Sequence, residues 1–325
     1  MSTTWPGTIR GTICDYTCFN PGKDADLLRK ALVGLGTDEQ AIIDILTHRS
    51  NAQRQQIAKE YKSTCGNELI ADLQNDLSGD FRQAITALME YPAVYDAKVL
   101  RKAIQGAGTD EGLLTEILVS RNNQQIREIK EAYQAEYKDD LVKDIASDVS
   151  GDFKRAVITL LEARRDENCP VVDEKLVRND AQALHKAGEK QLGTDEDKFI
   201  DILCSRSIPH LQATFETYKI ISNKDLEESI KSEMSGDLRN FMLTMVQYAK
   251  SAPTFFANKI VKSVKGLGTD ENTLTRILVT RSEMDLLDIQ DQYKLLAGCS
   301  MSSTIKSETS GDYKKLLLKI CGSEN

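Results

Sequence analysis

Apolar residues fall at i, i+3, i+4 and i+7 in four well-separated stretches: Phe81, Ala84, Ile85, Leu88; Phe153, Ala156, Val157, Leu160; Leu238, Phe241, Met242, Met245; and Tyr313, Leu316, Leu317, Ile320. That spacing lines one face of a helix, which reads as a core stripe. Each stretch follows a Ser-Gly-Asp, whose serine reads as an N-cap and whose aspartate suits the positive end of the helix dipole. Another stripe, Leu27, Leu28, Ala31 and Leu32 with its counterparts, predicts a helix that stops at Gly34-Leu35-Gly36. Thr37 and its equivalents read as N-caps of the next helix, followed by two acids. Two further helices fit over 52–62 and 67–74, so each module holds five, and the class is all-α.

The pattern is written four times. Gly-Thr-Asp-Glu begins at Gly36, Gly108, Gly193 and Gly268, and the glycine of Ser-Gly-Asp follows 43 residues after each. Between them the register holds an Ile-Leu pair, an arginine (Arg49, Arg121, Arg206, Arg281) and a tyrosine (Tyr61, Tyr133, Tyr218, Tyr293). Repetition at a fixed period decides the architecture before any local reading does. The steps between successive strings are 72, 85 and 75 residues, so the middle junction carries extra chain around Glu162 to Asp180, which reads as a linker between two halves. We place an N-terminal tail at 1–22 and repeats at 23–91, 92–163, 164–249 and 250–325.

At 325 residues, 40% apolar and 28% charged, the chain can bury substantial cores. It has no apolar run long enough to cross a bilayer and no start resembling a signal peptide, which predicts a cytoplasmic protein. The seven cysteines do not follow the repeat and read as reduced thiols. A net charge of −8 disfavours nucleic acid as a partner. His48, His185 and His210 have no repeated nucleophilic or acidic partner, and no GxSxG, HExxH or Walker string occurs, so the chain does not read as an enzyme.

Chemistry enters through a column of acids. Forty residues after each repeat's glycine stand Asp76, Asp148, Glu233 and Glu308. Glycines permit positive φ and can turn several carbonyl oxygens outward, and a hard cation such as Ca²⁺ takes six to eight oxygens. A lone Gly-x-Gly does no more than end one helix before another. Four copies, each with an acid at the same offset, point instead to an ion. If the two hairpins of a module lie side by side, both turns emerge at one end.

Gly-x-Gly-Thr followed about forty residues later by Asp or Glu, in four repeats from about Lys23 to Cys321, resembles the annexins. The resemblance implies a slightly curved all-α disc that binds anionic phospholipid reversibly when calcium is present. It implies as calcium ligands the carbonyls of Leu32, Gly34 and Gly36 with the carboxylate of Asp76; those of Ile104, Gly106 and Gly108 with Asp148; and those of Val264, Gly266 and Gly268 with Glu308. Repeat three departs from the pattern. Its loop, Gly188-Glu189-Lys190-Gln191-Leu192-Gly193, is one residue longer and lacks the first glycine, so the analogous ligands are the carbonyls of Gly188, Gln191 and Gly193 with Glu233. Secondary sites around Thr37 and Glu39 compete with the helix-start role of those residues.

One carboxylate per loop predicts weak calcium binding without lipid, on the order of 10⁻⁴ to 10⁻³ M. Leu35, Ala107, Leu192 and Leu267 stand at the loop tips, where they would touch a headgroup layer. An alternative remains: an ion-conducting or membrane-organising oligomer with a polar passage that the resemblance maps to Asp96, Glu116, Arg121 and Arg276, although a buried ion-pair network explains these residues equally well. Trp5 and Tyr16 make the tail a candidate protein-binding segment, with packing against the repeats as the plainer role. Oligomeric state and lipid preference are not legible in the chain.

Overall fold

The computed structural model describes residues 9–34, 36–106, 108–167, 171–189, 195–266 and 268–322. Every element among them is helical, five to a repeat. Repeat one holds α1 (Pro21–Leu32), α2 (Glu39–Leu46), α3 (Asn51–Cys65), α4 (Leu69–Asp76) and α5 (Gly79–Met89). Repeat two holds α6 (Pro92–Ile104), α7 (Glu111–Ser120), α8 (Asn123–Tyr137), α9 (Leu141–Asp148) and α10 (Gly151–Leu161). Repeat three holds α11 (Glu174–Glu189), α12 (Glu196–Ser205), α13 (Ile208–Ser222), α14 (Leu226–Glu233) and α15 (Gly236–Lys250). Repeat four holds α16 (Ala252–Ser263), α17 (Glu271–Arg281), α18 (Leu286–Ala297), α19 (Met301–Glu308) and α20 (Gly311–Ile320).

The stripes are core, as their period requires: Ala84, Ile85, Leu88, Ala156, Val157, Phe241, Met242, Met245, Leu316, Leu317 and Ile320 are buried. The third and fourth helices differ from the sequence reading in length. In repeat one α3 begins one residue earlier than expected, because Ser50 and Gln53 form a capping box, and runs on to a left-handed cap at Gly66, φ 77°. As a result α4 ends on Asp76 itself, so the acid terminates a helix.

The caps also differ. The aspartate of Gly-Thr-Asp-Glu, not the threonine, caps the second helix: Asp38 accepts from the Ala41 N–H at 3.0 Å, Asp110 from Leu113 at 2.8 Å, Asp195 from Lys198 at 3.1 Å and Asp270 from Thr273 at 3.0 Å. The backbone N–H of the same aspartate closes the loop onto the first helix, from Asp38 to the Ala31 carbonyl at 2.9 Å, and this delays the helix start past the threonine. Ser78, Ser150, Ser235 and Ser310 do stand at N-cap positions, but their side chains make no capping bond.

The arginine column fixes the first helix of each repeat. Arg49 grips Asp24 through two bonds of 2.6 and 2.9 Å, Arg121 grips Asp96 at the same distances, and Arg206 holds Asp180 at 2.7 and 3.2 Å. In repeat four Phe256 replaces the acid. Arg281 there turns to Asp285 on its own chain segment and lies 4.7 Å from the centroid of the Phe256 ring.

Two compact units result. One joins repeat one to repeat four, and the other holds repeats two and three. The extra chain after repeat two is therefore not a division between halves but lies inside the second unit, where Asn123 brackets it: its amide bonds the Arg165 backbone at 2.7 and 3.0 Å while its N–H reaches Glu167 at 3.0 Å. In the first unit residues 10–16 strap repeat four to repeat one. Thr12 N–H donates to the Ser282 carbonyl at 2.7 Å, and Tyr16 pairs its backbone with the Gln53 amide and lies 3.9 Å from the Arg49 guanidinium. Tyr16 thus lies against repeat one while remaining exposed. Trp5 lies outside the described residues.

The six described cysteines form no disulfide, and burial pushes the Cys204 and Cys321 thiols up to about 12, which keeps them protonated and unreactive.

Candidate functional site

Each loop is built where the first helix ends. Leu32 and Ile104 are the last residues of α1 and α6, and Val264 follows α16 directly. Beyond them Gly34 and Gly36 have φ of 137° and 96°, Gly106 and Gly108 of 128° and 110°, and Gly266 and Gly268 of 131° and 102°. Side chains rarely tolerate such angles, so the glycines are required by the backbone path. A Cβ on any of the six would meet open space, which leaves conformation, and not crowding, as the reason.

The acids lie at the ends of α4, α9, α14 and α19, and all four are exposed. What sets them there is the tyrosine column. Tyr61, Tyr133, Tyr218 and Tyr293 are buried in the third helices and bond the fourth helix through Asp72 at 2.8 Å, Asp144 at 2.7 Å, Ser229 at 2.8 Å and Thr304 at 2.9 Å. Burial, with the Asp144 carboxylate, pushes the Tyr133 phenol up to about 12, so it remains a donor across physiological pH. Sequence reading takes these tyrosines only as landmarks of the repeat. Their constant offset of eleven residues from a polar partner is the signal that could have given the role.

In repeats two and four the two turns of a module emerge together. The Thr109 hydroxyl reaches the main-chain oxygen of Asp148 at 3.5 Å, and Thr269 reaches that of Glu308 at 3.3 Å. Beside the carboxylates stand Ser147, Ser232 and Ser307, at 3.3 to 3.4 Å, with their single proton given more closely to a carbonyl three residues back.

Acids from paired repeats gather further. In the first unit an open cleft of about 470 Å³ is lined by Glu39, Asp76 and Asp80 from repeat one and Glu271, Glu308 and Asp312 from repeat four. In the second a cleft of about 300 Å³ is lined by Asp152, Glu196, Glu233 and Asp237.

A family model described as Annexin matches residues 23–88, 95–160, 179–245 and 255–320. The chain belongs to the annexin family. It is 52% identical to annexin A3 of Bos taurus over 325 residues, all of both chains, and 51% identical to annexin A4 of Mus musculus over 315 residues, 97% of this chain and 98% of that one. Among solved structures it superposes on annexin III with a TM-score of 0.95 and 51% identity, covering 97% of this chain and 98% of that one. A chicken annexin V in complex with Zn²⁺ gives a TM-score of 0.90 and 45% identity over 98% of this chain and all of that one, and a calcium-bound annexin (Sm)1 gives 0.89 and 34% over 98% and 94%.

The donor set of this annexin fits a hard cation. The ligands that the resemblance implies, main-chain carbonyls and one carboxylate per loop, are all oxygen. Among the described residues no three His, Cys, Asp or Glu side chains are placed to hold a metal by themselves.

The third loop follows a different path. Its first helix, α11, continues through Gly188 to Glu189, and the closing bond spans one residue more, from Asp195 N–H to the Ala187 carbonyl at 3.0 Å. Gly188 nevertheless lies against the acid, since a Cβ built on it would stand 3.9 Å from the Glu233 Cγ. Gln191 and Gly193 lie outside the described residues, as do the loop tips Leu35, Ala107, Leu192 and Leu267. Of the residues assigned to a polar passage, Asp96 and Arg121 are closed on each other in the buried pair described above.

Proposed function

We propose that this annexin attaches reversibly to anionic phospholipid surfaces under calcium control, using Leu32, Gly34, Gly36 and Asp76; Ile104, Gly106, Gly108 and Asp148; Val264, Gly266, Gly268 and Glu308; and, by a different path, Gly188, Gln191, Gly193 and Glu233. The observation that carries the reading is the meeting of glycine loop and acid turn, supported by the Thr109 and Thr269 contacts. Calcium held there would present coordination positions that a lipid phosphate or carboxylate can fill, so ion and membrane raise each other's affinity. The chain's own residues make that dependence steep. Clefts lined by six and four carboxylates repel an anionic surface until cations are held beside them. Several weak sites on one chain then add through effective concentration.

No helix among the described residues is long and apolar enough to cross a membrane, which supports peripheral attachment of a protein otherwise cytoplasmic. We read the chain as a binding protein and not an enzyme: His210 is buried against Asp180 at 2.9 Å, and the exposed His48 holds the Asp44 carbonyl at 2.7 Å. Repeat limits at 23–91, 92–163, 164–249 and 250–325 belong to the same reading.

Sedimentation with vesicles of phosphatidylserine and phosphatidylcholine across a calcium series tests it. Binding with calcium and release by a chelator are expected, and equal binding in both conditions contradicts the proposal.

A further inference from the structure

We propose that Thr109 and Thr269 are positioning residues, whose hydroxyls clasp each glycine loop to the acid-bearing turn and so hold the calcium ligands together before the ion arrives. The inference rests on the reading of these loops as calcium sites. Thr109 follows Gly108 and is half-buried, and its hydroxyl donates to the main-chain oxygen of Asp148, the last residue of α9. Thr269 does the same to Glu308 at the end of α19. Those oxygens belong to the last turn of a helix, where carbonyls have no partner within the helix. The threonine supplies one.

The usual task of a threonine before a helix is capping, and here it is already taken. Asp110 and Asp270 cap α7 and α17, and their N–H groups close the loops on Ala103 and Ser263 at 2.8 and 2.7 Å. The hydroxyl is thereby left to the other turn. Asp148 and Glu308 each supply the proposed carboxylate ligand as well as the carbonyl that the threonine holds, so the clasp acts on the residue whose place matters most. At 3.3 to 3.5 Å the bonds are long, and their worth lies in limiting how far the two turns separate.

The test uses the full chain with Thr109→Val, Thr109→Ser, Thr269→Val and Thr269→Ser. Peptide-resolved hydrogen exchange over a lipid-free calcium series reads each loop's own midpoint. Thr109→Val should move the midpoint of the Gly106 loop to about threefold to tenfold higher calcium, the range that one net hydrogen bond supplies. It should leave the Gly266 loop in place, and Thr109→Ser should restore the normal value. Thr269→Val should do the converse. In chelator, Thr109→Val should speed exchange of its own loop and lower the thermal midpoint by no more than about 1–2 °C, as loss of one weak bond does in a chain of this size. An unshifted calcium midpoint, a serine variant that fails to rescue, or a fall in calcium-free melting temperature of more than about 4 °C, the size of a lost cap, overturns the proposal. A shift seen only with vesicles present assigns the hydroxyl to a headgroup and also overturns it. If the unaltered chain shows no calcium-dependent protection at any loop, the calcium reading itself falls.

Discussion

In repeat one Asp38 commits its carboxylate to the Ala41 N–H, while Asp76, at the end of α4, faces the cleft with its carboxylate exposed. The two aspartates should therefore respond differently to truncation. Asp38→Ala removes a cap and is expected to lower stability by about 1 kcal/mol. Asp76→Ala or Glu308→Ala should raise the calcium needed for vesicle binding and leave the helical circular dichroism intact. Melting in chelator and sedimentation midpoints separate the cases, and an Asp76→Ala protein that unfolds while the Asp38→Ala protein loses calcium response reverses the assignments. The acid column was legible because an offset repeated four times is one that chance seldom produces, and the structure sets all four acids at the end of a helix. The cap was not, since threonine and aspartate both suit an N-cap and the choice turns on where the loop closes, at Ala31, a contact invisible in a string of residues.

Among the elements, the first helix of repeats one, two and three is held by a buried carboxylate paired with the repeat's arginine. Asp96 is 3% exposed in α6, and Arg121, just past α7, covers it from both oxygens. Removing the arginine leaves a buried carboxylate without its partner, so Arg121→Ala should cost about 3–5 kcal/mol in denaturant unfolding. A loss within the ordinary range of a surface substitution contradicts this packing. The arginine column is plain in the sequence, but its partner lies on another helix, 25 residues earlier in repeats one and two and 26 in repeat three. That added step, like the longer loop closure from Asp195 to Ala187, places the inserted residue between Ala187 and Asp195. Helix number and order were readable from periodicity and caps. The ends of α3 and α4 were not, because a capping box and a left-handed glycine extend the first and shift the second.

For the whole molecule, the repeats are alike enough to be recognised from sequence, yet their grouping depends on contacts far apart in the chain. Repeat four joins repeat one through Ser282, Met284 and the strap at residues 10–16, which no local pattern announces. The four proposed sites are also unequal. Because α11 continues through Gly188 to Glu189, we propose that site three orders its carbonyls only at an entropic cost. Sites one, two and four are therefore expected to fill first without lipid. In titration calorimetry Glu233→Ala should leave the tighter phase untouched and Asp148→Ala should reduce it. Loss of the tighter phase in Glu233→Ala contradicts that order.

The central claim is that glycine-loop carbonyls and a distant acid share one ion, and a crystal structure of the full chain grown with calcium tests it most directly. The account predicts ions about 2.3–2.6 Å from the carbonyl oxygens of Ile104, Gly106 and Gly108 and from the Asp148 carboxylate, with the same arrangement at Val264, Gly266, Gly268 and Glu308. Ions held only by side-chain carboxylates in the two acidic clefts, with no loop carbonyl within coordinating distance, would contradict it.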